Sequence, residues 1–141
     1  MYPILKGEDI AQDALGNLAN PDLISNPDNL KFSEKLRTLF IGEDSSTHVN
    51  NFVWAYNVDT KKLSRLMSMP AGAEATGLGV VDNLNGWTYL TTNFQHAGDW
   101  LPKLHDKVKE TLDPLIKENY KGRFGAAVGY VTAKASGIKI S

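Results

Sequence analysis

Residues 51–63 read Asn51-Phe52-Val53-Trp54-Ala55-Tyr56-Asn57-Val58-Asp59-Thr60-Lys61-Lys62-Leu63, and this stretch decides the fold class. Phe52, Trp54, Tyr56 and Val58 recur at every second position, which in a strand puts all four on one face; helical spacing would scatter them around a cylinder. Asp59 to Lys62 supplies turn formers before the next run. Outward from this stretch the same grammar repeats. Short runs rich in β-branched and aromatic residues fall at Leu30 to Phe32, Thr38 to Gly42, Leu63 to Met69, Thr76 to Val81 and Trp87 to Phe94. Asn83-Leu84-Asn85-Gly86 forms a second hairpin turn between the last two. Strands recurring at this spacing predict a mainly β protein: a sandwich, a barrel or propeller blades.

An internal similarity favours blades. Leu30-Lys31-Phe32 followed by Thr38-Leu39-Phe40-Ile41 resembles Leu78-Gly79-Val80 followed by Thr88-Tyr89-Leu90-Thr91, at offsets of 48 and 50 residues. Propeller blades repeat at roughly 40–50 residues. The reading is therefore a partial β-propeller of about one and a half blades with a C-terminal amphipathic helix, divided into an extended lead-in segment (1–28), a blade region (29–100) and a helical tail with a last strand (101–141). Such repeats need about three copies to bury their faces, so a piece of a larger protein is expected. The lead-in, punctuated by Pro3, Gly7, Gly16, Pro21 and Pro27, predicts loops with a short helical turn near Asp9 to Leu15. In the tail, Leu101, Leu104, Val108, Leu112, Leu115 and Ile116 form one helical stripe from about Pro102 to Tyr120. Pro114 should kink or split that helix after Leu112, and Gly122 should stop it. Phe124 to Thr132 is the last strand, and Ala133 to Ser141 a frayed end. The stripe is expected to cap the last blade, or else to pair with a second copy.

Composition narrows the function classes. The chain has 141 residues, 42% apolar and 22% charged, with 15 Lys and Arg against 16 Asp and Glu and no run of like charges. Nucleic-acid binding, which needs clustered cations, is disfavoured. No apolar run is long enough for a membrane span, and Met1 to Asp9 carries acids and a proline where an export signal needs an apolar stretch. With no Cys, disulfides, thiolate catalysis and Cys-ligated metals are excluded. No P-loop, GxGxxG, GxSxG, HExxH or EF-hand loop is present.

The chemistry-bearing residues stand at strand ends. Asn29, in Asn26-Pro27-Asp28-Asn29, either closes an Asx-turn or points a carbonyl oxygen at a cation. Glu43 and Asp44 end the Thr38 run; adjacent residues there face opposite ways, so one enters a metal site while the other is solvated or caps a loop. Hard cations take such carboxylate and amide oxygens. Glu74 is an isolated acid among Ala73, Ala75 and Gly77, where small neighbours permit close backbone approach. Gln95 and His96 follow the Trp87 run, and His96 suits a metal ligand, an acid or base, or a phosphate partner. His48 and His105 are expected to be structural.

Asn-Pro-Asp-Asn-Leu at 26–30, Leu39-Phe40-Ile41-Gly42-Glu43-Asp44, Gly72-Ala73-Glu74-Ala75-Thr76-Gly77 and Asn93-Phe94-Gln95-His96-Ala97-Gly98, in that order, resemble the C-terminal part of PhoX-type alkaline phosphatases. The likeness covers about Asn26 to Trp100. It implies a six-bladed propeller, periplasmic or extracellular, that hydrolyses phosphate monoesters at a calcium and iron cluster. Carried over by position, it implies Asn29, Glu43, Asp44 and Glu74 as metal ligands with Gln95 and His96 at the substrate edge, and the remaining blades or a second copy as partner. Departures are clear: the family's iron-ligating cysteine is absent, Ala97 stands where Pro is usual, Ser45 where Gly is frequent, and the tail after Trp100 is unexplained. The expectation is a C-terminal fragment of a metal-dependent phosphatase, inactive alone; the alternative is a non-catalytic β-propeller-derived binding or structural module.

Overall fold

The alternation in residues 52–58 becomes a strand whose two sides feed two separate cores. The computed structural model describes residues 2–136 and is mainly β. Strands β1 (Pro27–Ser33), β2 (Thr38–Glu43), β3 (Phe52–Asn57) and β4 (Leu63–Ser68) form one antiparallel sheet in chain order. Strands β5 (Glu74–Leu84), β6 (Trp87–Ala97) and β7 (Gly125–Lys134) form a second, with helix α1 (Lys109–Tyr120) between β6 and β7. All six expected runs are strands, and neither sheet closes on itself. The 48- and 50-residue offsets link the first strands and the second strands of the two sheets.

On β3, Phe52, Trp54 and Tyr56 pack with Ile41 on one side, as their spacing predicted, while Val53 and Ala55 join Phe40, Ala75 and Leu90 in the core between the sheets. Leu5 and Ile24 of the lead-in cover the first group. Arg65 fastens this cover: its guanidinium lies 4.2 Å over the Phe52 ring and 5.3 Å over Trp54 while donating to the Pro21 carbonyl and to Asp22. The turns follow their chemistry. Asn57 Oδ1 accepts from the Asp59 and Thr60 amides, and Asn85-Gly86 adopts left-handed φ of 51° and 85°, the geometry of a two-residue type I′ hairpin.

Four expectations are corrected. The lead-in has no helical turn at Asp9 to Leu15, because the segment folds back on itself: the Ile10 and Asp13 amides donate across to the Leu18 and Asn17 carbonyls, Asp9 bridges to Ala19, and Asp13 Oδ1 closes the turn. The helix begins at Lys109 instead of Pro102, since residues 102–108 coil as turns around the buried His105. Pro114 does not split it; as its sixth residue it costs only the bond to the Glu110 carbonyl, and α1 runs on to a left-handed Lys121. Ala133 and Lys134 are paired with Thr88 and Trp87 and not frayed, so the last strand completes a three-stranded second sheet. Ala135 donates to the Gly86 carbonyl in the turn that follows, and residues 137–141 of the expected frayed end lie outside the described residues. Among the described residues no helix is long and apolar enough to cross a membrane.

Candidate metal centre

Antiparallel order puts the end of β2, the start of β1, the start of β5 and the end of β6 at one end of the two sheets. Pairing of Asn29 with Gly42 and of Glu74 with Gln95 fixes the four motifs there in register. The sheets touch closely at this point: a Cβ on Gly42 would stand 2.4 Å from the Ala75 carbonyl oxygen, and Asn29 Nδ2 donates to that same oxygen at 2.8 Å. Asn29 thus acts as a strut between sheets. Its Oδ1 is buried with no hydrogen-bond partner.

Glu43 and Asp44 separate as alternation requires. Glu43 is fully buried and accepts from the Ser25 amide (2.8 Å) and Trp54 Nε1 (2.7 Å) on one oxygen, and from the Phe52 amide and His48 Nδ1 (both 3.1 Å) on the other. A carboxylate offers about four acceptor positions, and all four are taken by the protein. Glu43 therefore ties the lead-in to β3 and stands outside the acidic cluster. Asp44, one residue on, is exposed and faces the other sheet.

Asp44, Glu74 and His96 present ligand atoms that all lie within 4.8 Å of one another. His96 sits within the break in β6–β7 register between Phe94 and Ala97, with a left-handed φ of 48°. Its Nδ1 is 2.9 Å from the Gly72 carbonyl, which can only accept, so that nitrogen carries a hydrogen, and Nε2 lies 3.6 Å from Glu74 Oε2. The carbonyl is held in place by the turn at residues 70–73, whose Ala71 oxygen accepts from the Gly98 amide. Gln95 Nε2 donates to the other Glu74 oxygen. Burial, and then the neighbouring Asp44 carboxylate, push the Glu74 carboxyl up from its ordinary range. Two carboxylates so placed, beside an imidazole whose far nitrogen is anchored to a carbonyl, are the arrangement that a divalent cation stabilises.

The cluster opens onto a cleft of about 300 Å³ lined by Asp44, Ser45, Ser46, Asn51, Asp99 and all three histidines. Sequence reasoning missed Asp99, whose carboxylate is 3.9 Å from His96 Nδ1, and the Gly72 carbonyl. A Gly-Asp pair directly after a strand was the only signal for the former. Two of the histidines are committed elsewhere. His48 has Glu43 on one ring nitrogen and the Asn20 carbonyl on the other, and His105 accepts from the Leu101 amide while its Nε2 faces the Val49 carbonyl at 3.0 Å. Both are structural, as expected, and of the three only His96 turns a ring nitrogen toward Glu74 and Asp44. No family model matches the chain, and neither a curated protein nor a solved structure matches it.

Proposed function

We propose that this chain is the C-terminal part of a metal-dependent phosphate monoester hydrolase of the PhoX-like propeller type, working outside the cytoplasm, and that Asp44, Glu74 and His96 are its share of the metal ligands. The observation that carries the reading is the meeting of three ligand atoms: His96, its Nδ1–H tied to a backbone carbonyl, brings Nε2 beside the carboxylates of Glu74 and Asp44. Spacing within 4.8 Å is compatible with three donors at about 2.0–2.4 Å from one ion. Two carboxylates with one imidazole suit iron, manganese or zinc better than calcium, which prefers oxygen alone. A cation held there supplies positive charge for phosphate oxygens and Lewis acidity. Gln95 orients Glu74, Gly72 orients His96, and Asp99 sits behind the ring. The cleft is lined by acids and by no Lys or Arg, so the chain itself repels a phosphate ester and binds one only after a cation.

The test is calorimetric titration of the folded chain with manganese and with calcium, repeated on Glu74→Gln and Asp44→Asn, followed by inorganic phosphate with and without the metal. Saturable metal binding lost in both variants, and phosphate binding only with metal present, support the reading. A folded chain with no saturable binding, or binding untouched by both substitutions, overturns it. Hydrolysis of a simple aryl phosphate by the chain alone is expected to be negligible, because the multi-ion cluster that the resemblance implies draws further ligands, a cysteine among them, that this chain does not carry. The complete internal satisfaction of Glu43 favours the second reading, a non-catalytic β module, for that residue alone.

A further inference from the structure

The outward face of the second sheet is apolar and uncovered. Register places Val81 opposite Tyr89, Leu84 opposite Trp87, and Val128 and Tyr130 opposite Asn93 and Thr91, so these apolar side chains share one face. Along β6 the inward residues Thr88, Leu90 and Thr92 are buried while Trp87, Tyr89 and Thr91 are not. Exposure reaches 86% at Val128, 64% at Tyr130, 54% at Leu84 and 46% at Val81. The outer face of the first sheet carries a comparable set, Ile41, Phe52, Trp54 and Tyr56, and the lead-in covers it. The helix packs on the inner side, through Ile116 and Leu112 and the Tyr120 ring against Phe94.

We propose that this face is a self-association surface on which two copies of the chain pack sheet to sheet about a twofold axis. Charge argues for a second copy. The three strands carry only Glu74 at the metal cluster, Asp82 turned inward to Ser33, and Lys134 at one end. A face without charge at its centre meets itself with no like charges opposed, whereas a charged partner would bury its charge unpaired. Area agrees. Five large side chains exposed to this degree offer on the order of 500 Å² per chain, so about 1,000 Å² across the pair, the lower bound for a specific interface. The pair is accordingly reversible and of modest affinity, with aligned sheets interdigitating the Tyr130 and Val128 side chains. The inference is independent of the metal centre at the far end of β6.

Sedimentation velocity over a wide concentration range tests it. The wild-type chain is expected to show a reversible monomer–dimer equilibrium, with Trp87 emission shifting to the blue as dimer forms. Tyr130→Lys and Val128→Lys set like charges across the axis, and each raises the dissociation constant at least about tenfold. Both positions are exposed, so the far-ultraviolet circular dichroism stays that of the wild type. Mixing a Tyr130→Lys chain with a Tyr130→Glu chain restores pairing. A single monomeric species at the highest soluble concentration overturns the proposal, as does a dimer that survives both lysines, or growth past the dimer into open-ended aggregates.

Discussion

Replacing Glu43 by Gln substitutes a donor for one of two oxygens that between them accept from Ser25, Phe52, Trp54 and His48. At least one buried donor loses its partner, and the expected cost is about 2–4 kcal/mol, read as a lower urea midpoint at unchanged slope. Metal titration of the folded variant should match the wild type, which separates Glu43 from Glu74. His105 gives a second prediction. Burial holds its ring below the ordinary histidine range. As pH falls, the unfolded chain therefore takes up a proton before the folded one does. Its contribution is complete above about pH 6.5, declines below that, and is fully lost only beneath the depressed folded-state value. Stability measured by urea between neutral and mildly acidic pH should slope more steeply in the wild type than in His105→Gln; equal slopes would sink the assignment. At this scale the sequence was partly legible. Strand-end position grouped Glu43, Asp44, Glu74 and His96 at one mouth; the last three lie together and Glu43 does not, because which of Glu43 and Asp44 turns inward depends on which sheet face the lead-in covers, and no local pattern states that.

The strands show where local chemistry suffices. Alternation in Phe52 to Val58 and turn formers at Asp59 to Lys62 and Asn83 to Gly86 located β3 and its neighbours, because each hairpin is closed by its own residues. The helix start was misread for the opposite reason: the apolar stripe from Leu101 continues through residues that coil around His105, whose partner is the distant Val49 carbonyl. Pro114→Ala should supply the missing bond to the Glu110 carbonyl and raise stability by about 1–3 kcal/mol, seen as a higher Tm. Gly42→Ala should do the reverse. Its Cβ must displace the Ala75 carbonyl, prising β2 from β5. Loss of about 2–3 kcal/mol is expected, together with weaker metal binding, because Asp44 and Glu74 flank the two displaced residues. A Gly42→Ala chain that binds metal as tightly as the wild type would argue that the cluster does not depend on the contact between sheets.

For the molecule as a whole, the repeat of about 50 residues carried the division into two sheets, and the pairing of the last strand with β6 was the part that composition hid. Gly125 and Gly129 weaken β7 as a strand, and its pairing with β6 rests on a connection through α1. The lead-in, nearly devoid of regular structure, was legible as loops and illegible as a cover. Its ties are long in sequence: Gln12 donates to the Lys103 carbonyl and Lys107 to the Asp13 carbonyl, separations of 91 and 94 residues. Those separations set an order of events during synthesis. Residues 12 and 13 leave the ribosome ahead of these partners and meet them only after about ninety more residues have followed, at roughly 5–20 residues per second. For those seconds Phe52, Trp54 and Tyr56 emerge as an apolar stripe whose cover is already made but not yet fastened at its far end, so the nascent chain passes through a window in which a chaperone has something to hold.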